Sequence, residues 1–159
     1  MRRCSRRCSL GLILILAALT TAAAQKSEKY YPKVIVNNMA AKQMLLGAHR
    51  FSLQWISWDY FGKATVTEKN GSLFIKGEQH GRGNDDVVTM DGVITRVDAK
   101  AFTFEGEIVT QISHINNGKP CKRTGEMTFQ ITGNRRYWRL QQMNNPCDEA
   151  ADYVDIFFR

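Results

Sequence analysis

The stretch "GKATVTEKNGSLFIKGEQ", residues 62–79, leaves the backbone little choice. Asn70-Gly71 suits a two-residue type I′ turn, because both central residues need positive φ and Asn and Gly tolerate it best. A turn centred there pairs Val66 with Ile75 and Glu68 with Leu73. Val66, Leu73 and Ile75 then share one face, as the two-residue period of a strand requires. Phe74 falls on the other face, which predicts that this face is partly covered.

The same period recurs along the chain. "HRFSLQWI" places Phe51, Leu53 and Trp55 on one side. "VVTMDGVITRV" and "AFTFEGEIVTQIS" read as two long strands around Asp98-Ala99-Lys100, and "DYVDIFF" reads as a closing strand. "HGRGNDD" and "HINNGKPCKR" read as loops. Near the start, Asn38 is placed to cap one short helix from Met39, with Gly47 ending it. These runs predict an all-β fold, an antiparallel up-and-down meander of about eight strands. Closing it into a small barrel removes the exposed edges, with an open β-sandwich as the alternative. In gross layout the succession resembles the calycin group of small ligand-binding barrels. The resemblance implies topology alone and assigns no functional residue.

The first 24 residues stand apart. Arg2, Arg3, Arg6 and Arg7 precede an apolar run from Leu10 to Leu19, and Ala22 to Ala24 supply small residues before Gln25. This is the three-part pattern of a signal peptide, too short for a membrane span of about 20 apolar residues. The expected organisation is a removed leader at 1–24, a flexible arm at 25–33 and a single β-rich domain at 34–159. The expected location is exported, periplasmic or secreted, with no transmembrane segment in the mature chain. The whole chain carries a net charge of +7, but four arginines leave with the leader, so 18 basic residues face 15 acidic ones and the net is +3. That modest charge, without a spread of basic residues along a groove, argues against nucleic acid as a partner. Cys4 and Cys8 also leave, so Cys121 and Cys147 remain as an even pair bound for an oxidising compartment. A disulfide between them is the expectation. No cofactor or metal is expected, since two cysteines without a His pair fall short of a four-ligand site.

"CKRTGEMTFQITGNRRYWRLQQMNNPC" joins those two cysteines. A turn at Gly133-Asn134 would set Phe129 opposite Trp138 and Met127 opposite Leu140, putting Trp138 in the core. Arg135 and Arg136 sit at the tip, where a solvated charge competes with an anion or partner contact. Arg139 and Tyr137 join that contact in the second reading. The remaining ligand-binding candidates are Trp55, Trp58, Tyr60 and Phe61 of "WISWDYFG", either a stacking rim at a barrel mouth or core packing. His80, Asp85 and Asp86 in one loop and His114 in another could support acid–base chemistry, though polar loops carry such residues routinely. Asp148, Glu149, Asp152 and Asp155 read as solvated charges around a turn into the last strand. The function predicted is that of an exported, non-catalytic barrel binding a small apolar ligand or an envelope or protein partner. A loop-histidine hydrolase and a purely structural assembly role are the alternatives.

Overall fold

A computed structural model describes residues 30–159. The leader expected at 1–24 and the arm residues before Tyr30 lie outside the described residues.

The chain runs β1 (Ile35–Val36), α1 (Met39–Leu45), β2 (Gly47–Leu53), β3 (Gly62–Lys69), β4 (Ser72–His80), β5 (Val87–Val97), β6 (Ala101–Gln111), β7 (Cys121–Gln130), β8 (Tyr137–Leu140) and β9 (Val154–Phe157). From β2 to β9 each strand pairs antiparallel with the next, and β9 returns to pair with β2. The result is a closed eight-stranded barrel with β1 added in parallel at the end of β5.

Local sequence explains the elements. Asn70 and Gly71 take φ of 53° and 79°, and Val66 opposes Ile75 as the turn demands. Phe74 on the outer face meets the edge of Tyr31. Asn38 caps α1, its side-chain oxygen accepting from the Ala41 amide at 2.8 Å. Ala41 and Leu45 of α1 bury into the core, and the His49 ring bridges the Leu45 and Phe157 carbonyls at the same end.

Inward alternation fills the barrel. Trp138, Phe51, Phe102, Phe104 and Phe129 are the largest fully buried side chains, with Leu53, Leu73, Ile75, Met90, Ile94 and Ile108 around them. Phe102 stacks on Phe129 at 5.0 Å and meets Trp138 edge-on at 6.0 Å. Room for these rings comes from glycines. Gly92 and Gly106 face each other across β5 and β6, and a Cβ on either would lie 2.6 Å from the Phe104 ring.

The last hairpin differs from the sequence expectation. Phe129 opposes Leu140, not Trp138, a slip of two residues. The Ile131 amide donates to the Lys100 carbonyl and the Arg136 carbonyl accepts from Phe158. Both flanks of the turn are thus claimed by neighbouring elements, and the loop opens to span residues 131–136. Because side chains alternate with period two, a two-residue slip keeps every side chain on its face, so Trp138 still points inward. β7 also begins at Cys121, taking in the last three residues of the expected loop, because Cys121 and Arg123 alternate inward. Among the described residues no helix is long and apolar enough to cross a membrane.

Candidate functional site

At one end of the barrel a long loop, residues 141–153, is tied down by the Cys121–Cys147 disulfide, with the two Cα atoms 5.9 Å apart. Within it Asp152 is buried and accepts from three donors. These are Trp55 Nε1 at 3.2 Å, Arg123 Nη2 at 3.2 Å and Asn145 Nδ2 at 3.0 Å. A charge buried this deeply persists only when paired and hydrogen-bonded, and here it is both. Asp152 therefore departs from the solvated reading, and Trp55 is half-buried as part of this plug, with His114 edge-on to its ring at 5.7 Å.

The other loop candidates disperse. His80 is exposed and lies 3.5 Å from Glu78. Asp85 is exposed, whereas Asp86 is buried and accepts from the Ser113 amide, a loop-fastening role. Trp58 is exposed, and Tyr60 accepts from the Arg82 amide while the Arg82 guanidinium lies over its ring at 4.1 Å. Among the described residues no group of three or more His, Cys, Asp or Glu side chains could hold a metal ion.

The outer wall of β3, β2, β9 and β8 gathers most of the rest. Closure pairs β2 with β9 and β9 with β8, which aligns outward residues far apart in sequence. Phe61 at the edge of β3 meets Phe157 at 5.0 Å, and Phe157 meets Tyr137 at 5.2 Å. The Arg50 guanidinium lies over Phe61 at 4.6 Å and over Phe157 at 5.1 Å. Arg135 stands 5.7 Å from Tyr137, and Arg136 is exposed beside it. Arg139 lies over Tyr153 at 4.3 Å and grips Asp155 with two bonds of 2.8 and 2.7 Å.

Asp155 is the second carboxylate that departs from the solvated reading, for it is fully buried. Burial pushes its carboxyl above the ordinary carboxylate range, although the Arg139 bonds pull the other way. Arg139 is held above its ordinary value by the hydrogen bond to Asp155. Ser52, opposite Asp155, has a buried hydroxyl that meets no partner among the described residues.

Of the sequence candidates, the structure brings Phe61, Tyr137, Arg135, Arg136 and Arg139 to one wall, and leaves Trp55, Trp58 and Tyr60 on the loop end. Sequence reasoning passed over Arg50, Tyr153 and Phe157. Phe157 sits in an apolar run that reads as core throughout, and only its outward register marks it.

Residues 33–158 match the PM1083 family. The chain belongs to that family. It is 53% identical over 114 residues to the uncharacterized protein PM1083 of Pasteurella multocida (strain Pm70), a match covering 72% of this chain and 73% of the relative. No solved structure matches the chain. The PM1083 span runs from before β1 to just past β9, so the barrel, the Asp152 plug and the aromatic wall all fall within it. Chemically the wall can offer guanidinium donors held in place by aromatic rings, a combination suited to recognising anions at a surface.

Proposed function

We propose that this PM1083-family barrel is an exported, non-catalytic binding protein that works through its outer wall and not through its interior. The observation that carries the reading is Arg50. Its guanidinium is exposed, is fixed over Phe61 and Phe157, and donates to no acceptor among the described residues. Tyr, Trp, Phe and Arg are the residues enriched where proteins meet partners. The filled interior supports the same choice, because a lumen packed with five large aromatic side chains offers a small apolar ligand no room. The disulfide is compatible with export, since such bonds persist in oxidising compartments.

Native mass spectrometry of the protein isolated from its own host tests both halves. The expected mass is that of a chain starting within two or three residues of Gln25, with the disulfide formed and no small apolar molecule bound. An intact Met1 would refute export, and a retained apolar ligand would refute the outward reading.

A further inference from the structure

We infer that the partner docked on the wall is an acidic polypeptide surface. The inference rests on the reading above that binding takes place on the wall. Exposed outward carboxylates on this barrel are segregated by side. Outward positions of β3, β2, β9 and β8 carry, among the described residues, a single carboxylate, Asp155, and it is buried and held by Arg139. The exposed cations there are Lys63, Lys69 and Arg50, joined at the rim by Arg135 and Arg136, with Glu78 of β4 opposite Lys63 at the border of the wall. The opposite side, β5 to β7, presents Asp91, Glu105, Glu107 and Glu126 outward together with Arg96 and Lys122. There Lys76 of β4 pairs with Asp91 and Lys122 with Glu107, which leaves Glu105 and Glu126 without an ion-pair partner among the described residues. A mature chain of net charge +3 thus offers one wall with no exposed side-chain carboxylate at its outward strand positions, and its natural complement is negative.

The rings decide which anionic partner fits. Guanidiniums cover the faces of Phe61, Phe157, Tyr137 and Tyr153, which leaves no flat platform on which a sugar ring could stack. The rings are half-buried, so they do not project as apolar wedges into a lipid surface. What remains available is the planar N–H edge of Arg50 and of its rim neighbours. That edge matches side-chain carboxylates in bidentate geometry, on a rigid sheet of the kind a protein interface uses.

The test is fluorescence anisotropy with a labelled poly-L-glutamate peptide at low ionic strength. Saturable binding is expected, weakened about tenfold or more by the pair Arg50→Ala and Arg135→Ala. The pair Lys76→Ala and Lys122→Ala removes the same charge from β4 and β7, away from Arg50 and Arg135, and should leave binding close to that of the parent. Equal loss in both pairs would overturn the inference, because net charge alone would then explain the binding. So would tighter binding to phosphatidylglycerol vesicles or to alginate than to the peptide, which would assign the wall to lipid or to acidic polysaccharide. Self-association by light scattering that Arg50→Ala abolishes would assign it to a second copy. Absent peptide binding with an empty lumen overturns the acidic partner alone, whereas an apolar ligand inside the barrel overturns the wall reading beneath it.

Discussion

Trp138 illustrates how a residue's role survives an error in its neighbours. Its inward direction follows from alternation, so the two-residue slip of its hairpin leaves it buried against Phe102, His49 and Phe158. Trp138→Ala should lower stability by about 3–5 kcal/mol in urea unfolding, the range for emptying a large aromatic site. Asp152 and Asp155 were not legible in the same way. Asp152 sits in a polar run and Asp155 interrupts an apolar strand, and the arginine that makes each burial possible is 29 or 16 residues away. Asp155 also sets a sign. Its folded value is raised, chiefly by burial, above the ordinary unfolded value of about 3.9. Between those two values the folded chain holds more protons than the unfolded one. The group's contribution is therefore complete below the unfolded value and is lost as pH rises through the folded one. Unfolding of the parent and of Asp155→Asn across the acid range should show the parent gaining relative stability as pH falls. A relative loss would mean that the Arg139 pairing outweighs burial.

Among the elements, the β3–β4 hairpin was fully readable because Asn70-Gly71 fixes both turn and register locally. The β7–β8 connection was not, because Lys100 and Phe158, from other elements, take the hydrogen bonds that a tight turn at Gly133 would have used. The cysteines were paired correctly for a reason only partly right. A tight hairpin turning at Gly133-Asn134 would bring the two cysteines together at its open end, whereas β8 stops at Leu140 and Cys147 arrives on the loop that holds Asp152. Replacing both with Ser should lower stability by about 2–4 kcal/mol through a less constrained unfolded chain. Far-ultraviolet circular dichroism should show the strand content unchanged, since neither cysteine closes the barrel. Loss of the β signal would mean that the loop is needed for closure.

For the whole molecule, the strand count, the meander and the single short helix could be read from periodicity and turn residues. A barrel was preferred over a sandwich because edges are costly, and closure through β2 and β9 bears that out. Whether the barrel was hollow could not be read, since inward residues of a filled and an empty barrel have the same period. Volume decides it, through rings packed over Gly92 and Gly106. The wall was equally hidden, because it is assembled from β2, β8 and β9, which only closure brings together. The most direct test of a filled barrel that binds through its wall is a two-dimensional NMR titration of the labelled protein with poly-L-glutamate. Amide shifts should concentrate at Arg50, Phe61, Tyr137 and Phe157, with the methyl groups of Leu53, Ile75 and Ile108 unmoved. Shifts centred on those interior methyls, with the wall silent, would contradict it.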